Sequence, residues 1–230
     1  MSPEQTLQSI DAAIESRHVL KHPFYVAWQR GELSPEALRT YAAQYYRHVA
    51  AFPTYISALH ARCDDLATRQ TLLRNLRDEE EGPDHHPGLW LRFATAVGCE
   101  PGDAESAEPL PETAAAIAAF RDAVGNGPVE RGLAALYAYE SMVPEVAGEK
   151  IHGLAEHYGV EGSPGTDYFE VHRTLDVEHA EESRTALAER LERTTTGERE
   201  EAVRGAEIAL DAVNRLLDGV CRAHGIDRAA

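Results

Sequence analysis

Apolar residues along this 230-residue chain recur at three- and four-residue spacing, and no stretch alternates at the two-residue period of a strand. That is the pattern of helices with one face in a core. Leu7, Ile10, Ile14 and Leu20 begin it behind Ser2-Pro3-Glu4-Gln5, where Ser2 can cap, Pro3 suits the first turn and Gln5 can close a capping box. His22-Pro23 interrupts the pattern, and Phe24-Tyr25-Val26-Ala27-Trp28 makes a short aromatic helix ending near Gly31. Ser34-Pro35-Glu36 repeats the cap signature and opens a long helix to about Cys63. On it Tyr41, Tyr45, His48, Phe52, Tyr55 and Leu59 form an aromatic stripe, and Pro53 is expected to kink it. Such a stripe is ordinarily core. Buried phenols need partners, however, so a polar pocket inside the helices is expected.

Further helices are expected from about Asp65 to Glu81, from Leu89 to Gly98 and from Thr113 to Val124. Glu100 to Pro111 reads as a surface loop. Pro128 opens a long helix to Tyr158, with Pro144 as an internal kink. Gly162-Ser163-Pro164-Gly165 is a linker, after which a polar helix runs to about Arg193. Thr196-Gly197-Glu198 starts the last helix, whose stripe of Ile208, Leu210, Val213, Leu216, Leu217 and Val220 suits a core or a homodimer. The expectation is an all-α bundle of seven to nine helices, one domain over residues 1–230.

The formal net charge of −17 argues against nucleic acid or an anionic membrane as a partner. No apolar stretch approaches the ~20 residues of a membrane span, and the first residues lack the basic-then-apolar order of a signal peptide. Cys63, Cys99 and Cys221 form no close pair. These features lead to the expectation of a cytoplasmic protein with structural thiols.

Chemistry enters with His172, Asp176 and His179. Their spacing of four and then three residues puts two imidazoles and a carboxylate on one helix face. Such a set suits iron, manganese or zinc, although neighbouring Glu178, Glu181 and Glu182 also fit a merely solvated helix. Glu140 lies in an apolar run from Ala134 to Pro144, where an acid needs a partner or a shifted pKa. In Asp78-Glu79-Glu80-Glu81-Gly82-Pro83-Asp84-His85-His86, an acid and a histidine two turns apart could face the same way. Spacing does not decide among Glu79, Glu80 and Glu81. Gly82-Pro83 weakens the helix there, so metal would stabilise a segment otherwise prone to open.

Asp78-Glu79-Glu80-x-Gly82, His86-Pro87-x-Leu89-Trp90, Tyr139-Glu140-Ser141-x-Val143-Pro144-Glu145 and Phe169-x-x-His172-x-x-x-Asp176-x-x-His179 occur together and in that order. The combination resembles the haem-oxygenase-like di-metal oxidases, and most of all their CADD-like branch of para-aminobenzoate synthases. The resemblance runs from about Ser16 to Arg190. It implies a haem-oxygenase-like bundle (TenA/PqqC-like) without haem. It also implies two metal ions, iron with iron or manganese, held by Glu79, His86, Glu140, His172, Asp176 and His179. Glu140 would bridge them, and O₂ and an external reductant would be co-substrates.

The resemblance further implies a self-sacrificing enzyme of folate biosynthesis, which takes para-aminobenzoate from its own tyrosine with a lysine as amino donor. The matching positions are Tyr25, with Tyr41 and Tyr139 in the same pocket, and Lys150, one of only two lysines in the chain. On a continuous helix Lys150 would stand about 15 Å beyond Glu140 and some 80° round from it, so a kink at Pro144 would have to bring it in. Three other functions fit parts of the pattern. The same metals could oxidise an external small amino-acid-like or fatty-acid substrate. Thiaminase-II-like and pyrroloquinoline-quinone-synthase-like proteins share the fold without a di-metal centre. A CADD-like protein has also been linked to death-domain partners, but no feature of this chain points to such binding.

Overall fold

A computed structural model describes residues 1–226. Among them are eleven α-helices and no strand: α1 (Pro3–Ser16), α2 (Pro23–Gln29), α3 (Pro35–Arg62), α4 (Leu66–Glu80), α5 (His86–Ala96), α6 (Pro101–Ser106), α7 (Pro111–Gly125), α8 (Val129–Glu140), α9 (Val143–His157), α10 (Asp167–Leu191) and α11 (Thr196–His224). A short 3₁₀ turn, Val19–Lys21, joins α1 to α2. The all-α architecture is as expected. The count exceeds nine for two local reasons. The segment read as a loop after Glu100 contains α6, started by Pro101. The helix expected to bend at Pro144 is two helices. Proline has no N–H, and its ring meets the carbonyl of the residue four earlier, here that of Glu140, so α8 ends at Glu140 and Pro144 enters the first turn of α9. By contrast α3 continues through Pro53.

Sequence signals at the helix ends operate as chemistry requires. Ser2 and Gln5 form a complete capping box, and so do Thr195 and Glu198. Gly225, at φ +62°, closes α11.

The innermost helix is α8. Every residue from Gly132 to Glu140 is buried, as expected of a helix that is apolar on all sides. It packs most extensively on α11, whose stripe of Leu210, Val213, Leu216, Leu217 and Val220 serves the core. On another side it meets α10, and α3 packs across α7, α4 and α5. Close approach depends on missing side chains. A Cβ at Gly205 of α11 would lie 2.0 Å from the Arg131 carbonyl oxygen of α8. Gly205→Ala is therefore expected to force α8 and α11 apart and to cost about 2–3 kcal/mol, read as a fall of roughly 5–10 °C in Tm by thermal unfolding.

Candidate active site

Four helices deliver six metal-capable side chains to one buried region: Glu79 on α4, His86 on α5, Glu140 on α8, and His172, Asp176 and His179 on α10. Each is at most 7% exposed. The acidic run resolves by helix geometry, since Glu79 turns inward while Glu80 and Glu81 face solvent. The histidine pair resolves likewise. His85 caps α5, its Nδ1 accepting from Gly88 N–H at 3.2 Å, and His86 points into the core.

Glu79, His86 and His172 each offer a ligand atom within 4.8 Å of the others. His86 Nδ1 lies 2.9 Å from a Glu79 oxygen but is not aligned for a hydrogen bond, as two side chains facing one cation would be. His172 donates Nδ1–H to the Tyr168 carbonyl at 2.6 Å, which leaves Nε2 as its lone-pair nitrogen. Asp176 and His179 Nδ1 are 3.5 Å apart, and His179 Nε2 lies 3.0 Å from Asp78. Glu140 accepts from Asn75 Nδ2 at 2.6 Å and from Ser183 Oγ at 3.5 Å. Glu79, Glu140, His172 and Asp176 line a cavity of about 10 Å³, closed by Val49, Phe52, Tyr139 and Tyr168.

The donor set fits divalent cations. Burial, then the neighbouring Asp176 carboxylate, pushes Glu140 up to about 8. Burial likewise raises Asp176 to about 6. Burial opposes a charge on His179, but Asp176, Glu140 and Asp78 outweigh it and draw the imidazole up to about 9. Glu140 and His179 thus hold protons near neutral pH that a cation would displace, and His86 Nδ1, His179 Nδ1 and Asn75 Oδ1 lack hydrogen-bond partners among the described residues.

Behind Tyr139 and Tyr168 lies a second chamber of about 20 Å³, lined also by Tyr25, Tyr45, Met142, Lys150 and Phe169. The Tyr25 and Tyr41 hydroxyls are 3.4 Å apart, and those of Tyr45 and Tyr139 are 3.0 Å apart. Burial raises all four phenols above their ordinary range and keeps them neutral. Lys150 is 4% exposed and makes no ion pair among the described residues. Its Nζ stands 5.0–5.6 Å from the ring centres of Tyr25, Tyr41, Tyr45, Trp90 and Phe169. Burial pushes its pKa down to about 7. The break between α8 and α9 replaces the continuous helix on which Lys150 was expected to be out of reach.

Seven of the ten singled-out residues line these two adjoining chambers, and the other three stand against lining residues: His86 beside Glu79, His179 beside Asp176 and Tyr41 beside Tyr25. Sequence reasoning passed over Tyr168, one turn before His172 on the same face, and treated Tyr45 only as part of a stripe. It also gave Asn75 and Ser183 no part and quoted Asp78 only as a motif residue, and only contacts between helices show their partners. A surface cleft of about 770 Å³ beside α2, lined by Arg17, His18, Lys21, Asp211 and Asp218 among others, shares no residue with either chamber.

Residues 39–214 match a protein family described as iron-containing redox enzymes. The chain is 42% identical to a protein of Nitrosomonas europaea named 4-aminobenzoate synthase, over 93% of this chain and 89% of that one. It is 46% identical to a protein of the same name from Chlamydia muridarum, over 81% and 79%. A solved domain of unknown function with a haem-oxygenase-like fold, from Shewanella denitrificans, superposes with a TM-score of 0.81 over 100% of this chain and 99% of that one, at 19% identity.

The buried acids generate a pH dependence. Glu140 and Asp176 keep their protons in the folded chain at pH values where the unfolded chain has released them. Such groups stabilise the fold at low pH and lose that contribution as pH rises through their folded pKa values. His179, also raised, acts in the same direction. The metal-free protein should therefore lose stability between about pH 5 and 8, by a few kcal/mol. Tm measured against pH in chelator should fall across that interval, and Glu140→Gln should flatten the fall.

Proposed function

Because the chain belongs to the haem-oxygenase-like family of iron-containing redox enzymes, we propose that it is a 4-aminobenzoate synthase that builds its product from its own Tyr25. The observation that carries this reading is the chamber around Tyr25 and Lys150. It is walled by the chain's own phenols and amine, and about 20 Å³ admits little more than a water molecule. Pockets for an external amino-acid-like or fatty-acid substrate run to roughly 300–1,000 Å³.

The chemistry matches the residues. 4-Aminobenzoate is a benzene ring with a carboxyl on one side and an amine opposite. A tyrosine side chain is the same ring with a methylene on one side and a hydroxyl opposite. Conversion requires cleavage of the Tyr25 Cα–Cβ bond, oxidation of the methylene carbon to carboxyl with O₂ as oxidant, and replacement of the phenolic oxygen, which leaves as water, by a nitrogen released as the Lys150 Cε–Nζ bond breaks. Lys150 is the nitrogen source. Near neutral pH a substantial share of it is the free amine, with a lone pair available and aromatic faces that also tolerate the ammonium form. Tyr41 orients the Tyr25 hydroxyl, and Tyr139 forms part of the wall towards the metal chamber.

Glu79, His86, Glu140, His172, Asp176 and His179 would hold two ions, iron with iron or manganese, Glu140 contributing its carboxylate to the pair. When bound, the pair supplies activation of O₂ with electrons from an external reductant. The protein's part is to keep bulk water out, to hold the imidazoles with their lone pairs inward, and to keep Tyr25 and Lys150 against each other.

The test loads purified protein with ferrous iron, with and without manganese, and adds reductant and O₂ but no organic substrate. Mass spectrometry should show 4-aminobenzoate at no more than one per chain, with a matching mass loss from the protein. Tyr25→Phe and Lys150→Met should each abolish product while metal content stays unchanged. Product from Tyr25→Phe would move the source to another tyrosine or to an external molecule.

A further inference from the structure

α4 does more than contribute Glu79. Asn75, Asp78 and Glu79 are three and four residues apart, so they share a face, and each reaches a different helix. Asn75 donates to Glu140 of α8 at 2.6 Å, Asp78 meets His179 of α10 at 3.0 Å, and Glu79 meets His86 of α5 at 2.9 Å.

We propose that Asp78 is a positioning residue for one of the two metal ions, fixing His179 so that its Nδ1 serves as ligand beside Asp176. This rests on the di-metal reading above. Three observations carry it. Asp78 is the only carboxylate within hydrogen-bond distance of His179 Nε2 among the described residues, and a carboxylate there places the ring proton on Nε2. The opposite nitrogen, Nδ1, is buried, has no hydrogen-bond partner among the described residues and points to the Asp176 side of the cluster at 3.5 Å. Finally, the two halves of the site differ in readiness. Glu79, His86 and His172 already converge within 4.8 Å, whereas Glu140, Asp176 and His179 form no such group among the described residues. The half that contains His179 therefore depends more on what orients its ligands. The imidazoles differ as well, since His172 donates to a neutral carbonyl and His179 to a carboxylate. A carboxylate partner makes its imidazole the more electron-rich ligand.

The Asp78 side chain is 45% exposed, so its replacement leaves the core packing in place. The experiment titrates Mn²⁺ into metal-free wild type, Asp78→Asn, Asp78→Ala and Glu80→Gln, reading bound ion by calorimetry and by electron paramagnetic resonance. Glu80 is an exposed acid on the same helix and controls for loss of one negative charge. Wild type should bind two ions per chain with a spin-coupled signal. Both Asp78 variants should keep one site unchanged, weaken the other about 10- to 100-fold, and show the spectrum of an isolated ion at sub-saturating Mn²⁺. Glu80→Gln should behave as wild type. Two unchanged sites in Asp78→Asn, or two sites weakened alike, would overturn the role of Asp78 and leave the di-metal reading standing. Wild type that binds neither Mn²⁺ nor, in a parallel anaerobic titration, Fe²⁺ would overturn both.

Discussion

Three carboxylates in the interior of a helical bundle set the terms for this molecule. Glu79, Glu140 and Asp176 are each less than 5% exposed, and their mutual repulsion adds to the cost of removing them from water. The surrounding structure addresses that cost by placing Asn75 and Ser183 on Glu140 and imidazoles beside Glu79 and Asp176. Protons or cations must complete the balance. The burial of α8 on every side is what brings Glu140 into this position, at the end of the innermost helix.

The same helix end creates the second chamber. Pro144, four residues on, lets α8 run no further than Glu140, and α9, which starts at Val143, carries Lys150. An acid chamber and an amine chamber therefore lie back to back, with Tyr139 and Tyr168 common to both. The separation matters electrostatically. Beside the acids Lys150 would be held as an ammonium, whereas burial among aromatic rings lowers its proton affinity. Neutral phenols on the shared wall pass no net charge between the two environments.

Neither chamber has room for a sizeable guest, and the large cleft beside α2 touches neither of them. This arrangement suits chemistry on groups the chain itself supplies. The aromatic stripe of α3, with Trp90 of α5, thereby surrounds the lysine chamber. Tyr41, Tyr45 and Trp90 pack tightly, with Tyr45 and Trp90 stacked at 4.9 Å, and their faces form the surroundings of Lys150.

What the sequence by itself determined is whatever depends on periods within one helix. The three- and four-residue apolar repeats specified an all-α fold, and the spacing of His172, Asp176 and His179 specified one shared face, because the helical repeat is local and fixed. Capping residues located α1 and α3 for the same reason. Tertiary structure decided what depends on several helices meeting. It put Glu79 rather than Glu80 or Glu81, and His86 rather than His85, on the faces of α4 and α5 that turn into the core. It brought Lys150 to Tyr25 by turning a foreseen kink at Pro144 into a break between α8 and α9, after which α9 packs against α10 and α2. It gave Asp78 and Tyr168 their places, since a side chain's partner on another helix is set by where the two axes cross, which no spacing along one chain encodes.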